Sequence, residues 1–311
     1  MRRPYIVSIE GNIGSGKTTL IRRLEERGID EKKCVFLREP LDIWNSVRDN
    51  EENILQKYYR EPEKYALPFQ IMAYITFHQR LVDAIKDADE NTVIICERSM
   101  ESSCAIFAKM LRESGIIDEV NFQILLMFYE KMELIPVDAI IYLNTDVKTN
   151  IERIKKRARP GEENITLEYL ENCRKNHEDW IKTLTSDQSS QLAKLPENLV
   201  VEKRSFSDQN DDKKTVPVLR LDESLNDSVM MRNIDGFIRY YSYKMVGLCE
   251  GCNVENKLYS DEKHYILEKK GQSKLLCKKC FDDCWSDAYD DGWFWDSDIL
   301  FTGEEYETDS I

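Results

Sequence analysis

The chain has 311 residues, 41% of them hydrophobic and 33% charged, enough to build a full core in one large domain or two smaller ones. No apolar run approaches the roughly 20 residues of a membrane-crossing helix, and the first strand-like run opens by Tyr5 with no room ahead of it for a secretory signal, so a soluble, cytoplasmic protein is the expectation. The net charge is −14, but Phe281–Ile311 holds eleven Asp or Glu residues and no Lys or Arg; the acidity is mostly a tail property and argues against general nucleic-acid affinity.

In chain order, Tyr5–Ile9 is a short β-branched run, Gly11–Thr18 reads GNIGSGKT, and a helical pattern runs from Thr19 to Arg27. Strand, glycine-rich turn and helix start form the context in which GxxxxGK[ST] binds phosphate. The backbone N–H groups of Gly11, Asn12, Ile13, Gly14, Ser15 and Gly16 converge on anionic oxygens at the positive end of the helix. Lys17 reaches the terminal phosphates and the Thr18 hydroxyl sits on a magnesium ion. The segment predicts a binder of a nucleoside triphosphate, ATP in the kinase reading below, with magnesium.

Further apolar runs at Cys34–Leu37, Thr92–Cys96, Ala139–Leu143 and Val216–Leu221 read as strands buried on both faces. Helical patterns lie between them at Pro68–Asp87, Ser99–Glu113, Asn121–Leu134, Val147–Arg157 and Leu167–Thr183. This alternation predicts an α/β fold, a parallel five-stranded sheet with helices on both faces. Ser186–Lys214 is polar and reads as loop around a short strand at Leu199–Glu202. A last helix spans Leu225–Val246, with Met230, Ile234, Phe237, Ile238 and Tyr241 on one face. Cysteine pairs, aromatics and acids replace this rhythm after Gly247. The domain reading is a phosphate-loop domain over 1–247, a cysteine module over 248–285 and an acidic aromatic tail over 286–311.

Ligands of an open parallel sheet collect beyond the carboxyl ends of its strands. Glu39 follows the second run, and Glu97 with Arg98 follows the third. Phosphoryl transfer to a hydroxyl needs a phosphate cradle, magnesium, cations on the moving group and a base. His78, His177 and His264 all lie away from strand ends, so a carboxylate is the expected base. Glu39 is preferred because Pro40 ends the strand and turns the chain there. The helix from Pro68 aligns Gln70, Ala73 or Tyr74, Phe77 and Leu81 on one face, where a glutamine must find a partner. Arg153, Arg157 and Arg159 run into RPGEE, whose Pro-Gly pair suits a lid that brings guanidinium groups to a filled site.

IEGNIGSGKTT, the REP of Arg38–Pro40 with Trp44 five residues past Glu39, YALPFQ at Tyr65–Gln70, ERS at Glu97–Ser99 and RIKKRARPGEE at Arg153–Glu163 occur here in one order. In that order they resemble the deoxyribonucleoside kinases, the family that includes deoxycytidine kinase, mitochondrial thymidine kinase and the broad insect enzyme, over about residues 4–245. The resemblance implies a P-loop kinase that phosphorylates the 5′-hydroxyl of a deoxynucleoside in salvage, as a homodimer. It makes Glu39 the proton acceptor and Arg98 the group that steadies it and the phosphate. Glu97 assists magnesium, with the base role as its alternative. Gln70 holds the nucleobase edge with either face of its amide, so thymine or cytosine fits. Trp44, Phe69 and Phe107 wall the base, and Tyr59 with Glu162 holds the sugar 3′-hydroxyl. An arginine and an aspartate of deoxycytidine kinase are replaced here by Phe77 and Ser103, so thymidine and deoxycytidine are expected ahead of purines. Ala73 leaves room for a 5-methyl group. The rival enzyme is thymidylate kinase, disfavoured by Trp44, the PFQ helix and the RPGEE lid. A non-catalytic subunit of the same fold is disfavoured by intact Lys17, Glu39 and Arg98.

Nine cysteines in a cytoplasmic chain are not expected to form disulfides. Cys249 and Cys252, then Cys277 and Cys280, form two CxxC pairs separated by twenty-four residues, spacing that predicts a structural zinc site of ribbon type. Cys284 or His264 could replace one ligand. The module reads as a protein-interaction element or a staple for the C-terminal end, and the acids around Trp293, Phe294 and Trp295 weigh against nucleic acid.

Overall fold

The computed structural model describes residues 3–29, 33–89, 91–132, 135–185, 216–246, 264–269, 272–277 and 294–295. The chain runs through β1 (Tyr5–Gly11), α1 (Lys17–Arg27), β2 (Cys34–Leu37), α2 (Leu41–Ser46), a hairpin of β3 (Arg48–Asp49) and β4 (Glu52–Asn53), α3 (Ile54–Arg60), α4 (Pro62–Lys86) and β5 (Val93–Glu97). It continues with α5 (Met100–Ser102), a π-helical stretch at Ser103–Ala108, α6 (Lys109–Glu113), α7 (Glu119–Lys131), β6 (Ala139–Asn144) and α8 (Val147–Arg157). A 3-10 turn at Glu162–Asn164, α9 (Leu167–Thr185), β7 (Val218–Asp222) and α10 (Asp227–Val246) follow, and then a separate sheet of β8 (His264–Lys269), β9 (Gln272–Cys277) and β10 (Phe294–Trp295).

Five strands form one sheet in the order β2-β5-β1-β6-β7, every neighbour parallel. Successive side chains of a strand point to opposite faces, so a strand covered on both sides must be apolar throughout. That is the texture of β1, β5 and β6. Val7, Ile9, Ile95 and Ile141 pack on one face with Ile21 and Leu24 of α1 and Phe237 and Ile238 of α10. Ile6, Ile94 and Ile140 pack on the other with Ile106, Trp180 and Ile181. A further cluster joins α2, α3, α4 and α7 through Trp44, Tyr58, Phe69, Tyr74 and Leu125, and it builds the wall of the site described below.

The expected parallel five-stranded sheet is observed, with helices on both faces. Three expectations are corrected. Pro68 is not a helix start: α4 begins at Pro62, where a proline at the first position loses no helical hydrogen bond, and Pro68 lies inside the helix. The helix expected over Ser99–Glu113 is interrupted by the π-helical stretch. Pro40 does not end β2, which stops at Leu37; it precedes α2, with φ of −77°, an angle suited to helix entry. The loop expected over Ser186–Lys214 and its strand at Leu199–Glu202, the boundary at Gly247, and Cys249, Cys252, Cys280 and Cys284 lie outside the described residues, as does the acidic tail apart from Phe294 and Trp295. Among the described residues no helix is long and apolar enough to cross a membrane.

Candidate active site

β1 ends at Gly11 and the chain wraps around the first turn of α1. Gly11, Gly14 and Gly16 have φ of 143°, 79° and 101°, the region that favours glycine. A Cβ on Gly14 would lie 2.6 Å from the Asn150 carbonyl oxygen, and one on Gly11 would lie 2.8 Å from that of Leu143, so the loop has no room for side chains at these points. Thr145 Oγ1 and Arg153 Nη1 donate to the Ser15 carbonyl at 3.1 and 3.2 Å. Asn12 Nδ2 donates to the Leu170 carbonyl at 2.8 Å, turning its side chain toward α9. Lys17 is buried and donates to the carbonyls of Gly11 at 3.1 Å and Asn12 at 2.8 Å. Burial, then the Arg98 charge, pushes its pKa down to about 8. A close backbone turn at a helix N-terminus with a buried ammonium fits a triphosphate.

Thr18 Oγ1 donates to Glu97 Oε1 at 2.6 Å, an oxygen pair suited to a hard divalent cation. Glu97 closes β5 and is buried. Glu39 follows β2, and Arg98 Nε donates to its Oε1 at 2.8 Å. The two carboxyls are pushed apart. Burial would raise Glu39, but Arg98 and Lys17 outweigh it and hold the group below the usual carboxylate range. Burial, then the Glu39 charge, raises Glu97. Such divergence leaves one carboxyl ionised beside a neighbour that keeps its proton more readily. Arg98 has φ of 68°, an uncommon conformation for a residue with a side chain. Its guanidinium lies 4.7 Å from the Phe107 ring centroid.

A cavity of about 490 Å³ opens between these groups and the aromatic wall, a size typical of small-molecule sites. Trp44 of α2 meets Phe69 and Phe77 of α4 edge-on at 5.2 and 5.7 Å, and its Nε1 donates to Thr76 Oγ1 at 3.0 Å. Gln70 lines the cavity and is 3% exposed, yet its Oε1 has no hydrogen-bond partner. Ala73, Ser103, Phe107, Tyr59 and Glu162 line the same space. Ala73, not Tyr74, takes the cavity face: Tyr74 is fully buried and packs 5.5 Å from Tyr129. Arg153, Arg157 and Arg159 line the same cavity, and Arg153 reaches the phosphate loop at Ser15. Gly11, Asn12 and Ser15 support the loop without lining the cavity.

Five lining residues escaped the sequence reading: Thr19, Leu41, Leu55, Tyr58 and Tyr169. Tyr58 stacks on Phe69 at 4.9 Å. Leu55 and Tyr58, three apart on α3, were a usable helical signal. Nothing local to Tyr169 marks which side of α9 meets the cavity.

Residues 7–225 match the family model described as deoxynucleoside kinase. The chain is similar to deoxycytidine kinase 2 of Gallus gallus, 36% identical over 207 residues, which cover 58% of this chain and 76% of the relative. A probable deoxycytidine kinase of fowlpox virus is 35% identical over 56% of this chain and 71% of its own. The mitochondrial thymidine kinase 2 of Homo sapiens is 33% identical over 57% and 64%. A phosphate loop at the strand ends, an ionised carboxylate beside it and an aromatic cavity behind thus coincide with a match over most of the chain: it belongs to the deoxynucleoside kinase family and is an ATP-dependent kinase of deoxyribonucleosides.

Proposed function

We propose that this kinase phosphorylates the 5′-hydroxyl of thymidine and deoxycytidine in preference to purine deoxynucleosides, with Glu39 as the base. The observation that carries the proposal is Glu39 itself, held ionised by Arg98 2.8 Å away where the nucleoside cavity meets the phosphate loop. An ionised carboxylate there accepts the hydroxyl proton as the oxygen attacks the γ-phosphate. Lys17 exchanges its two loop carbonyls for the terminal phosphates, and Arg98 steadies both Glu39 and the transferring group. Thr18 and Glu97 would hold the magnesium ion, which supplies charge neutralisation across the phosphates when bound.

The unpartnered Gln70 Oε1 supports its role at the base edge. An amide can turn donor or acceptor toward a pyrimidine, while Trp44, Phe69 and Phe107 wall the ring and Phe77 and Ser103 leave it uncharged surroundings. Tyr59 and Glu162 hold the 3′-hydroxyl, and Arg153, Arg157 and Arg159 serve the triphosphate. Steady-state kcat/KM for the four deoxynucleosides, on wild type and Glu39→Gln, is the test. Pyrimidines should lead, and Glu39→Gln should lose about 10²-fold or more in kcat with little change in KM. A strong deoxyguanosine preference, or full activity in Glu39→Gln, overturns the proposal. Phosphorylation of thymidylate but not thymidine would move the assignment to a nucleotide kinase.

Outside the cavity the readings are a kinase domain over 1–247, a ribbon module over 248–285, an acidic tail over 286–311 and a homodimer. Val120, Ile124 and Met127 support the dimer: they line one face of α7 while 68%, 47% and 58% exposed. For zinc, Cys277 closes β9 opposite His264 of β8, a register that pairs two candidate ligand types across neighbouring strands; metal analysis finding no stoichiometric zinc removes this reading. The setting is read as cytoplasmic, where thiols such as those of Cys96, Cys104 and Cys173 stay reduced.

A further inference from the structure

The 3-10 turn after α8 holds one buried acid between two arginines. Arg157 donates to Glu162 from Nε and from Nη2, each at 2.6 Å, and Arg159 adds Nη1 at 3.2 Å. The Glu162 side chain is 3% exposed, whereas each arginine is 33% exposed. Gly161, at φ of 95°, packs so closely that a Cβ there would lie 3.0 Å from Cα of Gln56 and 3.4 Å from Cδ2 of Tyr59. The turn is thereby seated on α3 next to Tyr59, and Tyr59 and Glu162 face the same cavity.

The arginines that serve the triphosphate are therefore the present partners of the acid that serves the sugar. The donors now turned to Glu162, Nε and Nη2 of Arg157 and Nη1 of Arg159, are not available to phosphate while they hold the acid. Moving Arg157 and Arg159 onto phosphate strips a buried carboxylate of its counter-charges, which is strongly unfavourable unless other donors take their place. Two neutral donors suit that task, the Tyr59 hydroxyl and a hydroxyl of the bound sugar.

We propose that Glu162 is a positioning residue that makes the arginine grip on ATP conditional on the nucleoside 3′-hydroxyl: Arg157 and Arg159 transfer to the triphosphate as that hydroxyl and Tyr59 replace them at the carboxylate. The inference rests on the nucleoside reading above and adds a coupling between the two ligands. Coupling is reciprocal, so the sugar tightens ATP by the factor by which ATP tightens the sugar. A nucleoside without a 3′-hydroxyl leaves the arginines on Glu162 and loses kcat as well as affinity.

The test is calorimetric binding of β,γ-imido-ATP to the full chain, alone, with saturating thymidine and with saturating 3′-deoxythymidine. Thymidine should tighten the analogue about tenfold, and 3′-deoxythymidine by less than about twofold. In Glu162→Gln the analogue should bind tightly without nucleoside, and the thymidine effect should vanish. Arg157→Gln, which retains the acid, should bind the analogue weakly and also lose the effect; it decides the matter with the wild-type comparison if thermal melting shows Glu162→Gln to be unfolded. Equal tightening by both nucleosides, or a thymidine effect that survives in Glu162→Gln, overturns the inference. Wild type that phosphorylates thymidine but shows no 3′-hydroxyl-dependent coupling sinks this inference alone, whereas wild type that phosphorylates no deoxynucleoside sinks the kinase reading beneath it.

Discussion

Arg98 donates from Nε to Glu39 Oε1 at 2.8 Å across fifty-nine positions of sequence, from a left-handed backbone that places its guanidinium over Phe107. One cation thus touches both the carboxylate beside the phosphate loop and the aromatic wall of the cavity. Strain at such a residue persists only where its surroundings over-determine it; here the Arg98 N–H also donates to the Ile9 carbonyl at 3.1 Å.

The pH dependence follows from two oppositely acting groups. With Glu39 as the proposed base, ionised and with a depressed pKa, kcat should stay level through neutral pH and fall only below the usual carboxylate range. Lys17, charged in its proposed role at the phosphates, has a pKa of about 8, so kcat/KM for ATP should decline as pH rises through that value. Profiles from pH 4 to 10 with a nucleoside substrate check both limbs. A neutral acid limb would remove Glu39 as the base.

Gln70→Leu should separate stability from function. The substitution removes a buried amide oxygen that lacks a partner, so the melting temperature should hold or rise. Discrimination at the base edge should collapse, lowering kcat/KM for pyrimidines by about 10²-fold or more. Differential scanning fluorimetry with kinetics reads both, and a large loss of stability would mark Gln70 as a core amide.

Gly14→Ala should damage nucleotide binding more than folding. The added methyl meets the Asn150 carbonyl oxygen at 2.6 Å from a backbone at φ of 79°, and a backbone oxygen cannot rotate away. The loop must shift at a cost of order 1–3 kcal/mol. We expect KM for ATP to rise about tenfold or more, because cradle hydrogen bonds need sub-ångström placement, with KM for nucleoside much less affected.

Met127→Glu addresses the exposed stripe of α7. If Val120, Ile124 and Met127 form an interface between copies, a buried charge at its centre should yield a monomer by multi-angle light scattering. Unchanged mass in the variant would place any dimer contact elsewhere.

Much of the site's membership was readable from residue order, because its parts follow strand ends. Glu39, Glu97 and Arg98 were found by that rule, and Gln70, Ala73 and Phe77 by helical spacing. The short helices α2 and α3, of six and seven residues, were not. Helices of that length lack stability of their own and form because Trp44, Leu55 and Tyr58 pack against Phe69. Pro68 misled for a related reason: a proline marks a helix start on average, yet the buried face of α4, with Ala66, Phe69, Gln70 and Ala73, carries the helix through it.

By itself the amino-acid order determined the phosphate loop and the strands flanking it, since glycine φ preferences and β-branched burial act within a few residues of chain. Tertiary structure alone decided which groups pair across the cavity. Arg157 and Arg159 close on Glu162, Arg98 reaches Glu39, and Gln70 keeps a free oxygen, because ion pairing and desolvation depend on separation through space, which sequence spacing does not encode.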